Sequence, residues 1–182
     1  SPLVEACERI LALVDQLADE GIVLEHLDLG GGVGIVYQDE NVPDLGAYAQ
    51  AVQKLMGTRR LKLVLEPGRS LVGNAGALLT RVEFVKHSEE KNFVMVDAAM
   101  NDLMRPALYD AYHHIEAVET KDIEPLTANI VGPICETGDF LGKDRTIACE
   151  EGDLLLIRSA GAYGSSMASN YNTRNRAAEV LV

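Results

Sequence analysis

The chain is short of basic residues, short of cysteine and free of long apolar runs, and each shortage removes a class of function. Sixteen Lys and Arg stand against 28 Asp and Glu, for a net charge of −12. A phosphate-binding surface needs a basic stripe, so nucleic acid is not expected as a partner. Acidity on this scale fits a soluble, cytoplasmic surface. No apolar run approaches the roughly 20 residues of a membrane span, so no membrane partner is expected. Cys7, Cys135 and Cys149 are odd in number and widely spaced, which argues for reduced thiols rather than a disulfide framework. No C-x-x-C or H-E-x-x-H pattern occurs among them and the four His, and no metal site is expected. A missing leader at Ser1 says nothing about targeting. Hydrophobic residues make up 47% of the 182, enough for one packed domain or two small ones.

Residues 3–20 place Val4, Ile10, Leu11, Val14 and Leu17 near one face at helical spacing, and Gly21 suits the position just past the helix end. Residues 22–29 read as a short buried strand running straight into the glycines Gly30–Gly34. Asp44 can cap a second helix reaching Met56, and residues 61–65 form another strand. Helix and strand in alternation predict parallel α/β structure over residues 1–77. From residue 78 the character changes. Leu78–Lys86 and Asn92–Val96 flank a polar turn, and further strands are expected at His114–Glu119, Ala128–Val131, Thr146–Ala148, Leu154–Arg158 and Ala177–Val182. Short strands separated by Gly, Pro and Asp predict a mostly antiparallel β-barrel or sandwich over 78–182.

Several motifs carry chemistry. Asp28-Leu29-Gly30-Gly31-Gly32 sits at a strand end, where glycines let backbone N–H groups approach a phosphate, though a plain tight turn has the same composition. Glu66-Pro67-Gly68-Arg69 ends the next strand and holds two charges on a rigid turn. Arg105 and Tyr109 are four apart, so in a helix they share a face and could clamp a carboxylate. Gly132-Pro133-Ile134-Cys135-Glu136-Thr137-Gly138-Asp139 offers a thiol and two carboxylates. Taken singly, these read as a small buried hydrophobe and solvated loop charges. Ser159-Ala160-Gly161-Ala162-Tyr163-Gly164 surrounds one phenol with small residues, which suits either a packed turn or a ring lying close to a flat ligand.

Taken in order, these motifs resemble the pyridoxal-phosphate decarboxylases of basic amino acids that share an alanine-racemase-like fold, and among them most closely the group acting on diaminopimelate. The resemblance runs the length of the chain and implies the terminal part of a (β/α)8 barrel followed by the β domain. It also implies pyridoxal 5′-phosphate as cofactor and loss of CO2 from meso-2,6-diaminopimelate to give L-lysine. By it, Gly31 and Gly32 contact the cofactor phosphate. Glu66 faces the ring nitrogen, Pro67, Gly68 and Arg69 of the same turn also bind the cofactor, and Tyr163 touches both cofactor and substrate. Cys135 protonates the decarboxylated carbon. Glu136 binds the far amino group of the substrate, and Arg69, Arg105 and Tyr109 bind its far carboxylate. Diamine-forming members usually carry Asp where Glu136 stands. The family is homodimeric, with the Cys135 loop lent to the partner's site. None of the six lysines sits in a context resembling the family's Schiff-base lysine, so the chain is expected to begin partway through such an enzyme and to be inactive alone. Two alternatives stay open: a relative acting on carboxynorspermidine, ornithine or arginine, and a decarboxylase-like regulatory protein without catalysis.

Overall fold

The computed structural model describes residues 2–42 and 44–182, which divide into two compact units. One holds residues 1–36 and 40–70. The other holds residues 71–182 together with Tyr37–Asp39. Among the described residues no helix is long and apolar enough to cross a membrane.

In the first unit, helix α1 (Pro2–Asp19) buries Cys7, Leu11 and Val14, a stripe at i, i+4 and i+7. The expected face is there in Leu11 and Val14, with Cys7 added as a core residue. The helix closes as the sequence suggests. Gly21 takes φ +83°, its N–H donates to Ala18 and that of Ile22 donates to Leu17, the paired bonds of a Schellman end. Strand β1 (His26–Asp28) is shorter than the 22–29 expected. Helix α2 (Leu45–Met56) starts where Asp44 accepts from the N–H groups of Gly46 and Ala47. Strand β2 (Lys62–Val64) then pairs in parallel with β1. Cys7, Leu11, Val14, Leu27 and Val52 form this unit's core. A short helix, α3 (Gly68–Val72), follows.

The second unit is a six-stranded sheet. Its strands are β3 (Leu78–Lys86), β4 (Asn92–Val96), β5 (Ile115–Ala117), β6 (Leu126–Val131), β7 (Phe140–Ile147) and β8 (Leu154–Ile157), in the order β5-β8-β3-β4-β6-β7. The sheet is mixed, because β4 and β6 run parallel while the other neighbours run antiparallel. Four of the five neighbouring pairs are antiparallel and one is parallel. A parallel pair cannot be joined by a hairpin. Here the crossover spans residues 97–125 and carries helix α4 (Arg105–Tyr109) and strand β5. The edge strands β5 and β7 touch, so the sheet curls into a nearly closed barrel around Val82, Val94, Leu103, Ile130, Leu141, Leu155 and Ile157.

Strands β3 and β4 have the bounds the sequence predicts. Strand β7 is far longer than the expected Thr146–Ala148. Its polar run Gly142–Arg145 and the left-handed Asp144 (φ +50°) break alternation, and its register against β6 shifts twice. No strand forms over 177–182. Val180, Leu181 and Val182 are 79–116% exposed and pair with no neighbouring strand in this unit.

Candidate active site

Two motifs meet in the first unit because β1 and β2 are parallel. Asp28 is registered with Val64, so the loops after both strands leave at the same end. The N–H of Leu29 donates to Val64 (3.1 Å) and that of Glu66 donates to Gly30 (2.8 Å). Asp28 folds back to accept from the N–H of Gly30 at 2.7 Å. Gly30 and Gly32 have φ of +68° and +84°, a region that side-chain-bearing residues avoid. Gly31 is required for space, since a Cβ there would lie 2.5 Å from the carbonyl oxygen of Glu66. The glycine loop therefore packs directly on the Glu66-Pro67-Gly68-Arg69 turn. In that turn Gly68 N–H donates to Glu66 at 2.8 Å, and the Ser70 hydroxyl donates to Pro67 at 2.9 Å. The Glu66 side chain is exposed and Arg69, in α3, is half-buried. The result is a stretch of backbone without side chains next to a carboxylate, a pairing suited to an anion and a protonated nitrogen side by side.

The second unit holds the other candidates. Arg105 opens α4 and is only 7% exposed. Its Nη1 lies 3.0 Å from Nε2 of His113, and its guanidinium lies 4.7 Å from the centre of the Tyr37 ring. Tyr109, four residues on, is 63% exposed. The pair thus divides the work, with Arg105 turned inward and Tyr109 at the surface. Tyr109 shares a cleft with Thr137 and Gly138 of the Cys-Glu loop.

That loop is pinned by a residue the sequence reading took for a solvated charge. Asp139 is 4% exposed and accepts from the N–H groups of Met100 (2.7 Å) and Ile134 (2.8 Å). Its own N–H donates to Glu136, and its carbonyl accepts from Gly132. Burial pushes the Asp139 carboxyl above its ordinary value, against the pull of Met100 N–H, Ile134 N–H and Arg174. With this anchor beneath them, Cys135 and Glu136 stand exposed at the loop's surface. The other thiols are buried. Burial pushes Cys149 up to about 11 and raises Cys7 as well, so Cys135 is the accessible sulfur.

The third loop packs on the chain just before β3. Ala160 N–H donates to Gly76 and Gly161 N–H donates to Gly73, and a Cβ on Gly161 would collide with the carbonyl of Val72. Tyr163 follows at φ +62°, a conformation uncommon for an aromatic residue. The residue is 44% exposed. The setting of His113 and Tyr37 beside Arg105 and the burial of Asp139 are not visible in the sequence, whereas the packed turn at Gly161 is one of the two readings its small residues allow. Nothing in a linear pattern separates buried His113 from exposed His114, or buried Asp139 from exposed Glu136. Among the described residues no group of three or more His, Cys, Asp or Glu could hold a metal ion.

Comparison with known proteins gives this geometry a family. Residues 12–161 match the model of the pyridoxal-dependent decarboxylase C-terminal sheet domain, and the chain belongs to that family. It is 93% identical over all its residues to a diaminopimelate decarboxylase of Neisseria meningitidis serogroup B, covering 44% of that protein. To that of Pseudomonas aeruginosa it is 61% identical, again covering 44%. The chain thus spans under half the length of these curated relatives. Among solved structures, a protein of Aquifex aeolicus superimposes with a TM-score of 0.96 at 50% identity, over 100% of this chain and 46% of that one. The diaminopimelate decarboxylase of Helicobacter pylori complexed with L-lysine superimposes with a TM-score of 0.90 at 41% identity, over 97% and 44%.

Replacing Asp139 with Ala leaves the N–H groups of Met100 and Ile134 buried without an acceptor, at about 1–3 kcal/mol each. We expect a clear loss of stability in urea titration, smaller for Asp139→Asn, which keeps one acceptor oxygen. A change of Asp139→Ala within about 0.5 kcal/mol, the range of ordinary surface substitutions, would show that the loop is held elsewhere.

Proposed function

We propose that the protein carrying this chain is a pyridoxal-phosphate-dependent diaminopimelate decarboxylase, removing one carboxylate of meso-2,6-diaminopimelate to form L-lysine in the cytoplasm. Near-identity to one such enzyme along the whole chain carries the reading. Residues 1–77 are read as the closing part of a (β/α)8 barrel and residues 78–182 as the β domain. Leu63, Val64 and Leu65 on and after β2 are 39–46% exposed, and parallel strands with bare apolar faces call for neighbours.

The residues fit the cofactor. The glycine loop presents three successive residues without side chains, two of them at positive φ, beside the exposed carboxylate of Glu66. Gly31 and Gly32 would hold the phosphate through backbone N–H groups, with Arg69 adding positive charge. Glu66, on its Pro67-Gly68 turn, would keep the ring nitrogen protonated, and Tyr163 would lie against the ring. When bound, pyridoxal phosphate takes up the electron pair that departing CO2 leaves behind. Cys135 would deliver the proton to that carbon from its accessible Sγ, and Glu136 would bind the distal ammonium. Arg105, Tyr109 and Arg69 would bind the distal carboxylate. Arg105 is suited to this, being a buried cation that no carboxylate pairs among the described residues; burying a charge without a counter-charge is costly.

A chimaera tests the reading directly, with these 182 residues replacing the matching segment of the Neisseria meningitidis relative. It is expected to bind the cofactor and release CO2 from meso-diaminopimelate. A folded, cofactor-loaded chimaera that acts on ornithine or arginine instead, or on nothing, would refute the assignment. Lysine exceeds cadaverine by one carboxylate, so Arg105→Ala should erode the chimaera's preference for lysine as an inhibitor, by about 2–5 kcal/mol. Cofactor absorbance should be retained. We further propose a homodimer in which each subunit lends its Cys135 loop to the other. Mixing Cys135→Ala subunits with subunits lacking the Schiff-base lysine should then restore part of the activity, since one shared site is whole. Verified heterodimers without activity would exclude sharing.

A further inference from the structure

Arg105 and His113 form an arrangement that the assigned roles leave unexplained. A buried guanidinium ordinarily takes a carboxylate as partner. Arg105 instead rests on a neutral imidazole and a phenol ring, with Nη1 3.0 Å from His113 Nε2 and the Tyr37 ring below. Tyr37 also meets the imidazole edge-on, at 5.3 Å between ring centres and 77° between planes. His113 is completely buried, and its Nδ1 lies 2.9 Å from the carbonyl oxygen of Arg158. Arginine can only donate, so Nε2 accepts and the single ring proton sits on Nδ1, directed at Arg158. We propose that His113 is a positioning residue for Arg105, taking one guanidinium N–H while Tyr37 supports the flat face. The other donors of Arg105 are thereby left for a ligand's carboxylate. The ligand's identity rests on the functional reading above; the positioning does not.

A carboxylate in place of His113 would neutralise Arg105 and compete with the ligand. A protonated imidazole would repel it. The groups facing the ring keep it neutral at pH 7. Burial holds its pKa below 6.5, and the Arg158 carbonyl pulls the other way. Arg105 from α4 and Arg145 from β7 push it further down. A depressed folded pKa means that the neutral ring's contribution to stability is fully present above pH 6.5 and is lost as pH falls through the folded value.

Nitrogen-15 NMR of the histidine rings tests the arrangement without any ligand. The expected result is a His113 carrying its proton on Nδ1 at pH 7; a proton on Nε2, or an imidazolium, overturns the proposal. In the cofactor-loaded chimaera, His113→Phe keeps the shape and removes the acceptor. Inhibition by L-lysine should weaken roughly tenfold to a hundredfold, the value of one hydrogen bond to a charged group. Inhibition by cadaverine, which lacks the carboxylate, should change little. His113→Gln, which can accept and donate, should recover part of the preference. An unchanged lysine-to-cadaverine ratio in folded His113→Phe overturns the proposal. If that variant does not fold, His113→Gln and the ring tautomer decide. A chimaera inactive on diaminopimelate sinks the functional reading alone, because the tautomer is measured independently. An active one with an Nε2 proton sinks only this inference.

Discussion

Asp139 ties together the loops that follow β4 and β6. Those strands are parallel neighbours, so the loops leave at one end and need something to hold them. One carboxylate spans the gap, taking Met100 N–H from the first loop and Ile134 N–H from the second. Gly132 makes the approach possible, because a Cβ there would strike the Asp139 carboxylate and the Ala98 carbonyl. The first loop in turn receives the chain's end. Asn101, fully buried, donates to the carbonyl of Ser169 and accepts from Arg174. Without the carboxylate, the loop bearing Cys135 and Glu136 would have no fixed floor.

The first unit solves the same problem in the same way. A parallel pair, β1 and β2, delivers two loops to one end, and a glycine without room for a Cβ lets them touch. Parallel pairing is what gathers segments distant in sequence, and both sets of motifs depend on it. This half of the logic was open to view in the sequence. The glycine run and the Glu66-Pro67 turn each follow an apolar stretch, and two strand ends in α/β structure imply one mouth. In the second unit the parallel pair was hidden, because a strand's direction leaves no mark on its residues.

Legibility followed local physics. The Gly21 and Asp44 ends of the first two helices and the bounds of β3 and β4 depend on neighbours in sequence, and all were readable. Strand β7 was not, since the bulges opposite Ala128–Val131 and the left-handed Asp144 come from pairing across the sheet. Nor was the setting of Arg105. Spacing put it on one face with Tyr109, whereas the five-residue helix turns it onto Tyr37 and His113. Tyr37, 68 positions away from it, belongs to a three-residue segment that joins the second unit. Contacts of that range carry no signature in composition or period.

The excursion between β4 and β6 has a wider meaning for how such a domain changes over time. Residues 97–125 carry strand β5, which closes the sheet against β7, together with the core residues Leu103 and Ile115. Loop closure grows slowly with length, at about 0.6 kcal/mol per doubling, so the largely exposed stretch 118–125 can change length at little cost, whereas the rest of the crossover is built into the barrel. It is also the segment that carries Arg105, Tyr109 and His113. Residues proposed to choose the ligand and residues that hold the barrel closed are therefore written in one stretch of chain, and neither set can drift without the other.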